Sequence, residues 1–151
     1  NALVSGTTEE KLVAVIELKR AGNEMAHALL IDALGDEDVG LAAAYALQEA
    51  SPDLVLPRLR EILADSSPQI RGHAALAIGL LNRPDMVDDL LVALRNESEV
   101  DTSEAIVSAL AELGRPEAIP GLRYAADQDP RLGPAVRDAL KRIGAEPREG
   151  H

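Results

Sequence analysis

Three histidines and three clusters of acidic residues are the side chains of this 151-residue chain that could serve metal binding or catalysis. The acidic clusters lie at 36–38, 97–101 and 127–129. Alternating carboxylates can hold calcium, but none of these stretches has the twelve-residue ligand spacing with a central Gly and a final Glu. Acidic residues that precede a helix also interact favourably with its dipole, which is the interpretation we favour. The sequence therefore predicts no metal site.

The histidines are not arranged for catalysis either. His27 occupies a position that is Leu, Val or Ile in other copies of the internal repeat described below, which predicts a packed side chain. His73 is surrounded by small apolar residues, and His151 is terminal. The chain has no Cys, no Gly-x-Ser-x-Gly motif, no phosphate-binding loop and no Ser-His-Asp cluster. No catalytic residue and no cofactor are predicted.

The composition excludes several classes of partner. The formal charge is −11, and the aromatic residues are two Tyr, so neither a basic phosphate-binding surface nor a set of stacking platforms for nucleic acid is expected. No apolar run reaches the length of a membrane span, and we expect a cytoplasmic protein that does not bind membranes. Residues 22–104 hold 16 acidic and 5 basic residues. A basic partner would be attracted to this part of the chain.

The elements that position these residues come from an internal repeat. Copies that start at 10, 39, 70, 102 and 132 superpose without a gap over their first 29 positions, as far as the last copy runs. Small and apolar residues recur at i, i+3, i+4 and i+7, which predicts one helix per copy. This first helix should end at a residue that accepts the left-handed conformation. The residues at that position are Gly22, Ser51, Asn82, Gly114 and Gly144.

A second helix is predicted in each of the first four copies. Pro52, Pro84 and Pro116 are each followed by an acidic residue, which is typical of a first helical turn. Pro57 and Pro120 are expected within the first turn or so, where a missing amide costs little. The buried stripe of this helix includes Leu30, Leu59, Leu90 and Leu122.

An antiparallel helix pair buries its apolar stripes only when neighbouring pairs stack on it. We therefore predict an all-α fold, a short right-handed α-solenoid of four pairs plus a closing helix at 132–143. The predicted domain spans 7–144 and starts with a capping box of Thr7 and Glu10. Residues 1–6 are interpreted as a tag scar and disordered start, and 145–151 as a C-terminal tail.

The chain resembles the HEAT-like repeats first described in phycobilisome bilin lyases. The resemblance is strongest in Ile70-Arg71, in Ala77-Ile78 and in the stretch ALAELGRPEAIPGL at 109–122. It implies a protein-binding scaffold, with a subunit or domain of a bilin lyase-type enzyme as the alternative. The Arg of the family pattern is present at Arg71 alone, since the matching positions hold Gly40, Ser103 and Gly133, so an Arg-to-Asp ladder is not expected to be continuous. The His-Glu dyads of HEAT-like metal hydroxylases are absent.

The resemblance also implies that the second helices line a concave side, where a protein or peptide would bind. Residues opposite the buried stripe form the predicted partner-binding row, unless they lean into neighbouring repeats. They are Ile31, Asp32, Arg60, Glu61, Leu91, Val92, Arg95, Arg123 and Tyr124. The first helices offer a rival surface for a homodimer through the N-terminal half, unless a wide packing arc covers it. Its residues are Leu12, Ile16, Leu41, Tyr45 and Leu76.

Overall fold

The computed structural model describes residues 3, 6–64 and 67–144. These residues form nine α-helices and no strand. The helices are α1 (Thr8–Ala21), α2 (Glu24–Asp32), α3 (Gly40–Ala46), α4 (Pro52–Ile62), α5 (Pro68–Leu81), α6 (Val87–Asn96), α7 (Val100–Leu113), α8 (Ile119–Gln128) and α9 (Gly133–Ile143). Short 3-10 turns lie at Ala33–Gly35, Leu47–Glu49, Pro84–Met86, Pro116–Ala118 and Pro130–Leu132. The predictions for the start of the chain (1, 2, 4 and 5) and for the tail (145–151) lie outside the described residues.

The helices pair in chain order. α1 packs on α2, and each second helix packs on the first helix that follows it: α2 on α3, α4 on α5, α6 on α7 and α8 on α9. The first helix of each pair also packs on the first helix of the next, most extensively where α5 meets α7. The predicted all-α solenoid of helix pairs is confirmed.

Most helix ends match the sequence prediction. Thr7 Oγ1 accepts the Glu10 N–H at 3.2 Å and the Glu10 side chain accepts the Thr7 N–H, so the predicted capping box is present. The residues that end α1, α5, α7 and α9 have left-handed backbones, with φ between 57° and 90°. They are Gly22, Asn82, Gly114 and Gly144. A side chain is tolerated there at Asn82 because Asn accepts this conformation more readily than most residues.

The prediction that a first helix ends at Ser51 is wrong. α3 ends at Ala46 and continues as the 3-10 turn Leu47–Glu49, in which Ala50 N–H donates to Leu47 O at 3.0 Å. This tighter turn closes the helix without a left-handed residue. Ser51, with φ of −67°, instead precedes α4.

The prolines begin the second helices through tight turns. Pro84 and Pro116 start 3-10 turns, and the α-helices begin three residues later. α4 opens in the same way, since Leu54 N–H donates to Ser51 O at 3.0 Å. Pro57 is consequently the sixth residue of α4, deeper than predicted. The carbonyl that loses its i+4 donor belongs to Asp53, an exposed residue whose backbone can bond to solvent.

The core is aliphatic, and its two layers differ in side-chain size. The Leu column of the second helices is at most 1% exposed. Small residues fill the contact between first helices: a Cβ added to Gly79 of α5 would lie 2.8 Å from the Cα of Ala109 in α7. The two backbones approach so closely because residue 79 has no side chain.

Candidate protein-interaction surface

Twelve exposed residues form one stripe along each of the four second helices. They occupy positions i, i+3 and i+7 of each helix and of the turn that starts it, which places them on one face. We call them the second-helix surface: Met25, Ala28 and Asp32; Leu54, Pro57 and Glu61; Asp85, Asp88 and Val92; Glu117, Pro120 and Tyr124.

Apolar and acidic residues change places along this surface. In the first two pairs the apolar residues occupy the N-terminal half of the helix, and Asp32 and Glu61 the C-terminal half. In the last two pairs the acids come first, and Val92 and Tyr124 follow. The result is an oblique apolar band flanked by carboxylates. The twelve positions carry five acidic residues and no basic one.

A second column lies one residue earlier in each helix, and its residues in α4 and α6 contact the next second helix. We call it the seam: Ile31, Arg60, Leu91 and Arg123. Arg60 Nε donates to Asp89 of α6 at 3.3 Å, and Leu91 packs against the backbone of Gly121 in α8, where an added Cβ would lie 2.5 Å from the leucine. One residue along a helix is a rotation of about 100°, which is enough to turn a side chain from solvent into a neighbour.

The predicted partner-binding row therefore separates into two groups. One group points away from the fold and is exposed: Asp32, Glu61, Val92, Arg95 and Tyr124. Ile31, which we expected to face outward, is 7% exposed, and this part of the prediction is wrong because the residue belongs to the seam. The other seam positions differ among themselves, since Arg60 remains exposed while Leu91 and Arg123 are half-buried.

A groove of about 480 Å³ lies between α4 and α6. Val92 and Ala93 contribute apolar surface to it, and Arg60, Asp89 and Asn96 contribute polar groups. Val92 thus borders a recess, which gives the apolar band a concave edge.

Two large exposed apolar residues of the second helices were missed by the sequence analysis. Met25 is 75% exposed and Leu54 61% exposed, more than Val92 at 46% or Tyr124 at 54%. Both occupy the same column of the repeat, where later copies have Asp85 and Glu117. The sequence did contain a signal for them, because this position of the repeat is acidic in later copies and therefore exposed to solvent.

The rival surface, which we call the first-helix face, is largely uncovered. Leu12, Ile16, Leu41 and Tyr45 are exposed, and Leu76 is half-buried. The wide packing arc considered for these residues therefore covers Leu76 in part and leaves the other four in solvent.

Acidic residues in the junction loops form ion pairs and backbone hydrogen bonds within their own repeat. Asp36 accepts Lys11 Nζ at 2.8 Å and the backbone N–H groups of Asp38 and Val39 at 2.7 and 3.1 Å. The Lys11 ammonium lowers the pKa of Asp36 below its usual range, against the effect of desolvation and with help from these two amides. Asp129 is held in a similar way by Arg131, whose hydrogen bond lowers its pKa.

The ion pair of Glu97 with Arg71 is the most buried of these interactions. Arg71 Nε and Nη2 donate to its two oxygens at 2.8 and 2.9 Å, and the N–H groups of Ser98 and Glu99 donate to Oε2. Burial raises the pKa of Glu97, but the Arg71 guanidinium and the two amides outweigh it, so the pKa is lowered. The acidic junctions therefore have local partners, which explains them without a bound cation.

The histidines also have structural surroundings. His27 is half-buried, and its Nδ1 is fully buried without a hydrogen-bond partner among the described residues. His73 Nδ1 lies 2.7 Å from the carbonyl oxygen of Leu34 in the first repeat. The ring fits there because residue 40, at the position of the family Arg, is Gly: an added Cβ would lie 2.7 Å from the same nitrogen.

In the described part of the chain, no three His, Asp or Glu side chains come together as a group that could hold a metal ion. Across residues 6–64 and 67–144, no helix combines the length and the apolar character that crossing a membrane requires.

Helix pairs stacked in register, with an exposed row of second helices, define an α-solenoid built from repeats. The family model for HEAT repeats matches residues 56–143, more than half of the chain. The chain belongs to the HEAT repeat family. Repeats of this family generally mediate protein–protein interaction. No curated protein matches the chain in sequence.

Proposed function

We propose that this chain is a non-catalytic scaffold that binds a protein or peptide along its second-helix surface, on the concave side implied by the family resemblance. The observation that supports this most strongly is the solvent exposure of Met25, Leu54, Val92 and Tyr124 along one oblique band. Apolar residues and Tyr exposed together are typical of binding surfaces, and Tyr is enriched among residues that dominate binding energy.

The partner is basic as well as apolar. Five carboxylates flank the band, and no Lys or Arg belongs to the twelve positions. Arg58 neutralises Glu61 at 3.1 Å, and Arg83 approaches Asp85 at 3.4 Å. Asp32 and Asp88 make no ion pair among the described residues. A segment with apolar side chains in a line and Lys or Arg on both sides would match this pattern, and its charge would also speed association.

The length of the surface suggests the size of the bound segment. Packed helices lie about 8–10 Å apart, so four second helices in a row span roughly 24–30 Å. An extended chain covers this distance with about seven to nine residues, at roughly 3.3 Å each. A short linear segment is therefore sufficient to contact all four repeats.

Affinity capture with matched tyrosine variants tests this function. Tyr124 lies on the second-helix surface and Tyr45 on the first-helix face, and they are 54% and 50% exposed. Wild-type chain, Tyr124→Ala and Tyr45→Ala should be immobilised separately and incubated with lysate of the source cells. We expect a basic protein to be retained by the wild type and by Tyr45→Ala, and to be lost from Tyr124→Ala.

Circular dichroism and thermal unfolding provide the control for this capture, because both tyrosines are at the surface and neither substitution should change the fold. Loss of the partner from Tyr45→Ala alone would transfer the function to the first-helix face. Equal capture by all three proteins would contradict binding along the second-helix surface.

Self-association through the first-helix face is the alternative interaction, supported by the exposure of Leu12, Ile16, Leu41 and Tyr45. Sedimentation equilibrium of the wild type and of Ile16→Glu tests it. A dimer that dissociates in the variant would establish a homodimer, whereas a monomeric wild type would dismiss it.

The absence of catalysis is part of the proposal and has its own assay. The bilin lyase alternative rests on the family resemblance, so pigment transfer to an acceptor protein should be measured with this chain alone and with a second lyase chain. We expect no transfer, and transfer that depends on this chain would replace the scaffold with an enzyme subunit.

A further inference from the structure

A second groove, of about 500 Å³, lies on the opposite side of the molecule from the second-helix surface, between the first helices α5 and α7. Its apolar lining comes from Leu41, Leu76, Gly72 and Ala105. Small residues form the floor of the groove. Gly72 has no side chain, and a Cβ added there would make only an ordinary contact with the Ala105 Cβ, at 3.6 Å. The groove above Gly72 and Ala105 therefore has room for the aliphatic part of a partner's side chain.

The polar groups around the groove are mainly acceptors. His73 Nδ1 faces the Leu34 carbonyl at 2.7 Å, and a carbonyl accepts but never donates, so Nδ1 carries the hydrogen in the neutral ring. Nε2, on the other edge of the ring, is then an acceptor and has no partner among the described residues. Thr102 Oγ1 donates its hydrogen to Pro68 O at 2.9 Å, which leaves the hydroxyl its lone pairs.

Two carboxylates are further hydrogen-bond acceptors in the groove. Glu99 and Asp101 line the end of the groove at the start of α7. Glu99 is also attracted to Arg131, while Asp101 makes no ion pair among the described residues. Apart from His73 and Thr102, whose hydrogens already have acceptors, Gln69 and Ser108 are the lining side chains that can donate, and each can also accept. Among the residues that the structure describes, no cationic side chain lines the groove.

We propose that this groove binds an arginine side chain of a partner protein. The aliphatic stem would lie on Gly72, Ala105 and Leu76, and the guanidinium would donate to Asp101, Glu99 and His73 Nε2. A guanidinium presents five N–H donors in a plane, which suits several separate acceptors better than the three donors of an ammonium group. The site lies outside the second-helix surface and does not depend on the function proposed for it.

A peptide titration observed by NMR tests the site. The probes are acetyl-Gly-Arg-Gly-amide and the same peptide with citrulline, norleucine or lysine in place of arginine. Citrulline keeps the shape and removes the charge, and norleucine keeps only the apolar stem. We expect shifts at the His73 ring and at the Gly72 and Ala105 amides, with arginine binding about threefold to fivefold more tightly than citrulline, as expected for an exposed ion pair.

Three variants locate the binding. Ala105→Leu fills the groove with a residue that favours helices and should abolish the shifts. Asp101→Asn should weaken arginine binding about threefold to fivefold. Glu24→Gln is the matched control, because Glu24 is also an exposed carboxylate in the first turn of its helix and lies outside both the groove and the second-helix surface. This control should bind like the wild type.

The result can separate this site from the proposed function. Shifts in the groove that persist in Tyr124→Ala support an independent site whatever that variant does in the capture experiment. Equal affinity for arginine and citrulline, tighter binding of norleucine or lysine, shifts confined to other acidic clusters, or no shift at the groove residues would each overturn the proposal.

Discussion

Two glycines of α5 should respond in opposite directions to the same substitution. Gly72 and Gly79 are seven residues apart on one face of the helix, and both are buried against α7. Replacing Gly by Ala inside a helix stabilises it by about 1 kcal/mol, because Ala loses less conformational freedom on folding. The free space beside each glycine determines whether this stabilisation is kept or is outweighed by a steric clash.

At Gly79 the new methyl group would meet backbone. Its Cβ would lie 2.8 Å from Ala109 Cα, 3.0 Å from Ala109 Cβ and 3.2 Å from Ala109 O. These atoms belong to the α7 main chain and its first side-chain atom, so they move only if the helices separate. Overpacking costs about 1–3 kcal/mol in general, and a backbone contact falls in the upper part of this range. We expect Gly79→Ala to lower the free energy of unfolding by about 1–2 kcal/mol.

At Gly72 the same methyl group would make ordinary contacts. The nearest atoms are Ala105 Cβ at 3.6 Å and Thr102 Cα at 4.0 Å. No neighbour must move, and the helix-propensity gain should remain. We expect Gly72→Ala to raise the free energy of unfolding by about 0.5–1 kcal/mol.

Equilibrium unfolding in urea, followed by far-UV circular dichroism, measures both changes. For a chain of this length, 1 kcal/mol corresponds to a shift of about 2–4 °C in Tm, so thermal unfolding provides a second measurement. A Gly79→Ala protein as stable as the wild type would refute the close approach of α5 and α7. A destabilised Gly72→Ala protein would refute the assignment of free space at that position.

Other substitutions test the core and the junctions. Leu90→Ala or Leu122→Ala should cost about 2–5 kcal/mol in urea unfolding and should loosen adjacent pairs in hydrogen exchange, and neutrality of both would mean that the repeat register is wrong. His27→Leu should stabilise by about 1 kcal/mol because it removes a buried nitrogen without a partner; destabilisation would mean that the imidazole is bonded. The lowered pKa of Asp36 stabilises the fold above the unfolded-state pKa near 4, and this contribution is lost as pH falls through the folded-state pKa. Lys11→Met should therefore flatten the loss of stability in acid, and an unchanged acid dependence would contradict the role of the Lys11–Asp36 pair.

Local patterns in the sequence were sufficient for the repeat and for most helix boundaries. The 3.6-residue periodicity of small and apolar residues determines which face of each helix is buried, and Gly22 and Gly114 end their helices through their own backbone freedom. The capping box of Thr7 and Glu10 is equally local, since it joins residues three apart. These interactions form within one or two helical turns, so they can be predicted without knowing the neighbours.

The tertiary structure decided which exposed positions are available to a partner. Ile31 and Asp32 are adjacent and were both expected to face outward, yet packing of α2 beside α4 buries the first and leaves the second in solvent. The rotation of one helix against the next depends on side chains about 30 residues away, and no local pattern reports it. The contact of His73 with Leu34 depends on stacking in the same way, since it joins two repeats, and the ion pair of Arg71 with Glu97 depends on how α5 and α6 fold back on each other within one repeat.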